Sequence, residues 1–326
     1  MKQVLESGDN AVAVVIGALL TFVIVTSLLG AFILWYVPSN GQQQDMKYIS
    51  EVENSFFRLQ DKIDNSTPFP NEFVIQSFPL GIPGTPPFST STDSNIMYKN
   101  QGGFNSSLNF SMIVNVTYSG VHRSISINVD FNATGMISIE TQTPFVTPTN
   151  FYFQNNVIIS SQPSSNYSQI TGPLPLSVTN SSGIFINSSQ FGIVGQNQTI
   201  TDYGSNLLTM QYSEVNLSDF SVGENVTVSN LTGGYTTAVV NSILLKSFYY
   251  NVSSPYIQAW NKTFASIYNT TGKTLGNSSV GISWNFTDFQ FMKVFLLGNS
   301  MSIHTTAPLK PFSVGISYFT LKLLRL

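Results

Sequence analysis

Hydrophobic residues are distributed unevenly along this chain, and their longest uninterrupted run lies near the N-terminus. The stretch from Ala11 to Val37 holds no charged residue. As a helix it would be about 40 Å long, which exceeds the ~30 Å hydrocarbon core of a bilayer. Trp35 and Tyr36 close the stretch, as aromatic residues do at a membrane interface. The pattern predicts a transmembrane helix over residues 11–37 with the lipid bilayer as its partner; a buried core helix is the alternative.

A short polar leader, residues 1–10, precedes this apolar run. A secretory signal would have a shorter apolar core that ends in small residues at a cleavage site. Here the core is longer, and it ends in aromatic residues followed by Pro38. We therefore expect the apolar helix to be retained in the mature protein.

The next stretch, residues 38–65, has a different pattern and predicts an amphipathic stalk helix. Pro38 to Gly41 is expected to interrupt the helix just beyond the membrane. Apolar residues then recur at intervals of three and four, as on one face of a helix: Ile49, Val52, Phe56, Leu59 and Ile63. This stripe either forms a coiled-coil seam or packs on the chain's own β-domain. The second is favoured because two heptads are too few for a stable coiled coil.

From residue 66 to 326 apolar and polar residues alternate with a period of two, which predicts a β-rich ectodomain. The clearest pair is Leu108–Tyr118 and Val121–Phe131, joined by Ser119 and Gly120 in a two-residue hairpin turn. The predicted fold class is mainly β: a long N-terminal apolar helix continuing into an amphipathic helix, then an antiparallel β-sandwich-like ectodomain with one late short helix.

The remaining elements of the ectodomain are predicted from shorter patterns. Residues 78–88 are expected to form an extended surface loop rich in proline. Residues 254–268 predict the late helix, with Ser254 as its N-cap and an aromatic stripe that includes Trp260. The run 143–150 is the best boundary between two subdomains. Further strands are predicted at 72–79, 134–140, 151–160, 183–194, 206–216, 225–230, 235–250, 280–286, 289–297 and 312–324.

Composition narrows the range of functions. Charged residues make up 9% of the chain, the net charge is −3 and there is no cysteine. These values argue against a nucleic-acid partner and exclude disulfides and thiolate metal sites. The chain has neither a nucleophile elbow nor a phosphate-binding glycine loop, and its two histidines lie far apart in the sequence. We expect no enzymatic activity, no cofactor and no metal.

The polar residues form one recurrent motif, the N-glycosylation acceptor Asn-x-Ser/Thr. It occurs seventeen times, whereas a shuffled chain of this composition would contain about six or seven. None lies before residue 65, so the C-terminal part is expected to face outward and to carry N-linked glycans. The acceptors are Asn65, Asn105, Asn109, Asn115, Asn132, Asn166, Asn180, Asn187, Asn197, Asn216, Asn225, Asn230, Asn251, Asn261, Asn269, Asn277 and Asn285.

The N-terminal segment from Asp9 to Leu20 resembles that of archaeal type IV pilin-like proteins. Their pattern is a short polar leader, then Ala-Val-Ser-x-Val-Ile-Gly and a long apolar helix; Ala13 stands here where the serine is usual. The wider layout is similar to that of archaeal surface proteins with this N-terminus. These have an amphipathic helix, a loop like Phe78–Gly81, a β-rich domain and a late helix.

The resemblance implies membrane insertion, cleavage of the leader by a prepilin-type peptidase, and self-assembly through the apolar helix. Cleavage would fall close before Ala11, after Gly8 or Asn10, so the processing residues are Gly8, Asp9, Asn10 and Ala11. Small residues allow helices in lipid to approach closely. The packing candidates are Ala13, Gly17, Ala18, Gly30 and Ala31.

Together these features lead to two functional expectations. The first is a membrane-anchored, N-glycosylated archaeal cell-surface protein of structural or adhesive role that assembles into extracellular filaments. The alternative is a single-span envelope glycoprotein that acts as a binding module without forming filaments.

Overall fold

A long N-terminal helix and a β-rich ectodomain make up the computed structural model of the chain, and this confirms the predicted fold class. The structure describes residues 2–65, 71–84, 91–100, 103–165, 167–180, 184–221, 223–229, 235–260, 262–263, 280–288, 291–298, 301–302 and 312–325.

The helix runs from Lys2 to Asn65 in three consecutive segments. Helix α1 (Lys2–Ala31) is followed by a π-helical segment (Phe32–Tyr36) and then by helix α2 (Val37–Asn65). At 1.5 Å per residue, the combined helix would be about 95 Å long if straight. The expected interruption at residues 38–41 is therefore wrong, because Pro38 and Gly41 both lie inside α2.

The π-helical segment explains how Pro38 is tolerated within the helix. In an α-helix a proline ring collides with the carbonyl group four residues earlier and leaves it without a donor. For Pro38 that carbonyl belongs to Leu34, which lies in the π-helical segment. A π-helix pairs groups five residues apart, so the wider turn relieves both problems.

The described part of the ectodomain consists of strands and the short late helix. The strands are β1 (Phe73–Leu80), β2 (Ser94–Lys99), β3 (Asn105–Tyr118), β4 (Val121–Thr134), β5 (Met136–Glu140), β6 (Asn150–Gln154), β7 (Val157–Gln162), β8 (Tyr167–Thr171), β9 (Leu176–Asn180), β10 (Ile184–Val194), β11 (Gln198–Asp202), β12 (Gly204–Ser221), β13 (Asn225–Ser229), β14 (Tyr235–Ser253), β15 (Val280–Asp288), β16 (Phe291–Gly298), β17 (Met301–Ser302) and β18 (Phe312–Arg325).

These strands form three sheets. The first has the order β1-β12-β18-β10-β9, the second β11-β2-β5-β6-β7-β8, and the third β15-β16-β14-β3-β4 with β13 and β17 also paired to β14. The pairs are antiparallel except β10 with β18, which run parallel. The predicted hairpin of β3 and β4 is confirmed: Ser119 and Gly120 both have positive φ, as a two-residue turn between twisted strands requires.

Helix α2 packs on the chain's own sheets, so the favoured interpretation of its apolar stripe is confirmed. Val52, Phe56 and Leu59 are completely buried. The ring of Phe56 lies 4.9 Å from that of Phe78 on β1 and 6.3 Å from that of Phe153 on β6. The helix thus fills the space between the first and second sheets.

Two predictions for the ectodomain are corrected by the structure. Residues 151–160 form two strands instead of one, because Asn155 and Asn156 adopt positive φ and turn the chain. The proposed surface loop at 78–88 begins inside β1, where Phe78 and Leu80 are fully buried. Alternation with the exposed Ile75 marks them as the inward face of a strand. Residues 85–88 of that loop lie outside the described residues.

The suggested boundary at 143–150 does not separate two sheets. It connects β5 to β6, which pair with each other in the second sheet. The late helix begins as predicted, since the Ser254 hydroxyl accepts a hydrogen bond from the N–H of Tyr256 at 3.1 Å. Two members of the predicted aromatic stripe are in contact with the sheets: Trp260 is fully buried against Phe104, and the ring of Tyr256 lies 4.0 Å from that of Tyr152. The other members, Phe264, Ile267 and Tyr268, lie outside the described residues.

Candidate functional site: an uncovered apolar helix joined to the ectodomain

From Ala13 onward, the surface of α1 and of the π-helical segment is apolar on every side and is not covered by the ectodomain. From Val14 to Tyr36 the large apolar side chains are 40 to 81% exposed. Burial begins at Val37, the first residue of α2. Among the described residues this is the one helix that is long and apolar enough to cross a membrane.

The three hydroxyl side chains in the apolar part of α1 bond to the helix itself. The hydroxyl of Thr21 donates to the carbonyl of Gly17 at 2.9 Å, and that of Ser27 donates to the carbonyl of Val23 at 2.7 Å. Thr26 donates in the same way to Phe22 O at 2.8 Å. A hydroxyl that is satisfied internally does not need water, so these residues are compatible with a lipid environment.

The small residues that were predicted to mediate packing lie on different faces of the helix. With 100° per residue, Ala13 and Ala31 lie within about 40° of Gly17 around the axis of α1. Ala18 and Gly30 lie about 100° and about 140° away from it. The five candidates therefore do not form one stripe, and Gly17 lies on the face that holds most of them.

Neither glycine of this helix is required by the fold of the single chain. A β carbon placed on Gly17 or on Gly30 would meet no atom within 4 Å. A larger residue at either position would therefore leave the monomer unchanged, and any effect of it would arise in contacts with lipid or with another chain.

The predicted processing residues Gly8, Asp9, Asn10 and Ala11 lie within the helical backbone of α1. Cleavage close before Ala11 would remove the first turns of this helix and leave the apolar part intact. This cleavage stays a prediction from the resemblance to pilin-like proteins.

Immediately C-terminal to the apolar surface, a contact that we call the clasp joins α2 to the loop between β5 and β6. It consists of Gly41, Asp45, Phe145 and Val146. The Asp45 carboxylate accepts hydrogen bonds from the backbone N–H groups of Phe145 and Val146, at 2.7 and 3.0 Å. The ring of Phe145 lies directly against Gly41. The clasp holds the first turns of α2 to the second sheet.

The electrostatics of the clasp are dominated by burial. Asp45 is 1% exposed, and this desolvation raises the pKa of its carboxyl group, although the two backbone N–H donors act in the opposite direction. The sequence pattern did not reveal this residue, since an acidic side chain was expected on the polar face of α2. The available signal was its spacing of four residues after Gly41 and seven before Val52, which places it on the buried side.

The far end of α2 is held by a second set of polar contacts. The Gln60 amide donates to Asn156 O at 2.5 Å, and the Asn156 amide donates to the Asp64 carboxylate at 2.6 Å. The ammonium group of Lys62 donates to Ile75 O on β1 at 2.6 Å. Both ends of the stalk helix are thereby fixed to the ectodomain.

The acceptor asparagines whose side chains the structure describes all have access to solvent. Asn65, Asn105, Asn132, Asn187, Asn197 and Asn225 are exposed, and Asn109 and Asn115 are half-buried. Of the others, Asn180, Asn216, Asn251 and Asn285 lie on strands, with side chains outside the described set. Asn166, Asn230, Asn261, Asn269 and Asn277 lie outside the described residues. Glycosylation of all seventeen acceptors stays a prediction.

Within the described part of the chain, no group of three or more histidine, cysteine or carboxylate side chains is arranged to hold a metal ion. The ring of His122 bonds to the hydroxyl of Thr117 on the neighbouring strand at 2.7 Å, and His304 lies outside this part. Comparison of the chain with protein-family models gave no match, and neither did comparison with curated proteins.

Proposed function

We propose that this protein is a membrane-anchored, N-glycosylated archaeal cell-surface protein with a structural or adhesive role. In this proposal α1 inserts into the membrane, and the ectodomain faces outward and carries the glycans. The apolar helix then assembles copies of the chain into a filament whose core is formed by α1.

The observation that carries the proposal is the uncovered apolar surface between Val14 and Tyr36. Exposed apolar area costs about 25 cal/mol per Å² in water, so a helix with this surface is covered in its functional state. Lipid covers it in an anchor, and neighbouring copies cover it in a filament. A cleaved signal sequence would also be apolar, but here the helix continues without interruption into the buried stripe of α2.

Two forms of this proposal differ in what covers α1. The resemblance to pilin-like proteins and the face shared by Ala13, Gly17 and Ala31 favour the filament. The positions of Ala18 and Gly30 on other faces favour the alternative, a single-span envelope glycoprotein that acts as a binding module. Leaving lipid gives a helix no hydrophobic gain, so assembly depends on close contact at small residues.

A substitution on α1 distinguishes the two forms. Replacement of Gly17 with Leu should prevent filament assembly and leave membrane insertion intact, because Leu is compatible with lipid and meets no atom of the same chain. Val15→Phe is the matched control, since it adds similar bulk about 160° around the helix. The measurement is the fraction of protein in sedimentable filaments compared with detergent-soluble protein, for the wild type and both variants.

Filaments in the wild type and in Val15→Phe, but not in Gly17→Leu, support the filament. If no wild-type protein sediments as filament while it remains in the membrane fraction, the filament form is wrong and the single-span form remains. If the protein is not found in membranes or filaments at all, both forms are wrong.

Topology and glycosylation are tested independently. Protease treatment of intact cells should remove the ectodomain, and a protected ectodomain would overturn the outward orientation. The intact mass should exceed the 35.8 kDa of the polypeptide by the mass of several glycans. A mass equal to that of the polypeptide would exclude glycosylation.

A further inference from the structure

Seven strands of five or more described residues lie at a sheet edge, with no other described strand paired to their outer side. They are β1, β4, β8, β9, β11, β13 and β15. The outward N–H and C=O groups of an edge strand can pair with a strand of another chain. Natural proteins therefore cover or block such edges.

Six of these seven edge strands contain a glycosylation acceptor or directly follow one in the sequence. Asn132, Asn180, Asn225 and Asn285 lie within β4, β9, β13 and β15; Asn166 and Asn197 immediately precede β8 and β11. The side chains of Asn132, Asn197 and Asn225 are exposed.

The seventh edge strand, β1, contains no acceptor, and its edge is blocked by side chains of the chain itself. The N–H of Tyr212 on β12 donates to Glu72 O, so odd-numbered residues of β1 point their backbone groups away from β12. On that open side Lys62 donates to Ile75 O at 2.6 Å, and the Gln76 amide donates to Ser77 O at 2.8 Å. Pro79 follows, which has no N–H to offer.

Strand β4 is the edge that most needs protection. It has 14 residues; the last two, Ala133 and Thr134, lie against β10, and the other residues correspond to about 40 Å of open edge. Ile125, Ile127 and Val129 alternate with exposed polar residues, a pattern of high β-propensity and low charge that favours pairing between chains. Several of its side-chain bonds run across the sheet face to β3, among them those of Ser124 with Asn115, of Asn128 with Ser111 and of His122 with Thr117.

We propose that N-linked glycans at these six acceptors, above all at Asn132, block edge-to-edge pairing between copies of this chain. A glycan is bulky and strongly hydrated, so on the exposed face of an edge strand it excludes a second strand from that edge. The inference rests on the proposed glycosylation and adds a specific role to it. It also explains why β1, which is blocked by Lys62, Gln76 and Pro79, has no acceptor.

The third sheet provides a matched interior control. Asn132 pairs with Ser107 on β3, and Ser107 pairs with Asn251 on β14. Asn132 and Asn251 therefore occupy the same transverse row of one sheet, two strands or about 10 Å apart. The difference between them is position, because β4 is an edge strand and β14 lies inside the sheet.

The experiment compares the full-length wild type with Asn132→Gln and Asn251→Gln, each purified from the native host in a detergent that covers α1. Glycopeptide mass spectrometry first determines the occupancy of both sites. Light scattering then measures the weight-average mass as a function of protein concentration. We expect the weight-average mass of Asn132→Gln to increase to at least that of a dimer. The mass of Asn251→Gln should remain that of a monomer, like the wild type.

A second-site substitution separates lost edge protection from damage to the fold. Ser126 is an exposed residue of β4, and a lysine there would block the edge by charge. The double variant Asn132→Gln, Ser126→Lys should therefore return to the monomeric mass. Association of Asn132→Gln that Ser126→Lys does not reverse would contradict the inference.

The remaining outcomes are also decisive. If Asn132 is glycosylated and its loss leaves the mass unchanged, this inference is wrong while the proposed function stands. An unoccupied Asn132 in a chain that is glycosylated elsewhere has the same consequence. If no acceptor carries a glycan, the glycoprotein part of the proposed function fails as well.

Discussion

The ring of Phe145 lies so close to Gly41 that a β carbon at position 41 would fall 2.3 Å from a ring atom. Real β carbons do not approach other atoms this closely, so any other residue here would displace the ring of Phe145. Gly41 was expected to end a helix, and it instead permits the contact between α2 and the second sheet.

We predict that Gly41→Ala destabilises the protein by about 1–3 kcal/mol, the usual effect of overpacking. The matched control is Gly30→Ala, also in a helix but with open space around it. Alanine is favoured over glycine within helices, so this control should be neutral or slightly stabilising. Thermal unfolding of both variants in detergent, followed by circular dichroism, measures the difference. Equal stability of the two variants would contradict the proposed contact.

The pH dependence of the clasp follows from the raised pKa of Asp45. Burial places the folded-state pKa above the ordinary value of 3.8, so the folded protein takes up this proton before the unfolded chain does. The contribution of Asp45 to the free energy of unfolding therefore rises as the pH falls through the folded pKa toward 3.8.

Replacement of Asp45 with Asn isolates this contribution. The variant keeps an oxygen acceptor for the two backbone N–H groups and removes the buried charge. We expect Asp45→Asn to match or exceed the wild type in stability at pH 7, and this difference to shrink near pH 4. Chemical denaturation at both pH values measures it. A variant that loses more stability at pH 7 than at pH 4 would show that the carboxylate is held as a favourable ion.

We also expect the whole ectodomain to withstand acid. Acid unfolding results largely from carboxylates that must be protonated, and this chain has only 16 acidic residues in 326. Far-UV circular dichroism should remain unchanged from neutral pH to about pH 2, below the ordinary carboxylate pKa values. Cooperative unfolding near pH 4 would be inconsistent with this expectation.

The core between α2 and the sheets should depend strongly on Phe56. This side chain is completely buried, and its ring lies 4.9 Å from that of Phe78. Truncation to alanine should cost about 3–5 kcal/mol, since it removes apolar contact and leaves a cavity. Met46→Ala on the exposed side of the same helix should have little effect. Thermal unfolding curves of the two variants test the difference.

Alkaline pH should lower the stability of the protein through ionisation of Tyr98. Burial raises the pKa of this phenol to about 12, and its hydroxyl donates to Ile193 O at 2.6 Å. The folded-state pKa exceeds the unfolded value of 10.0, so this stabilisation is complete below pH 10 and is lost as the pH rises toward 12. Tyr98→Phe should be less stable at pH 8 by about 1 kcal/mol and show a shallower decrease above pH 10. An unchanged alkaline slope would contradict this assignment.

The sequence predicted those parts of the fold whose patterns are long and local. The stripe from Val52 to Ile63 spans several helical turns, and the β3–β4 hairpin combines two alternating runs with a Ser-Gly turn. Strands of five or six residues, such as β8 and β11, offer too few alternations to detect. The parallel pairing of β10 with β18 joins residues more than 100 positions apart, and no local pattern encodes it.

The candidate site was predictable in the same uneven way. The apolar surface of α1 follows directly from the uncharged run that ends at Val37. The clasp does not, because the role of Asp45 depends on two N–H groups about 100 residues away. The helical conformation of Pro38 depends on a change of hydrogen-bond pattern before it, which residue propensities do not express.

The π-helical segment also sets the rotational phase between the membrane helix and the ectodomain. Each of its residues turns through less than the 100° of an α-helix, so the faces of α1 are rotated from the positions that an unbroken α-helix would give them. The azimuth at which Gly17 points, relative to the clasp and the β4 edge, is therefore determined by five residues. Any assembly that packs α1 helices together inherits from this short segment the direction in which each ectodomain faces its neighbours.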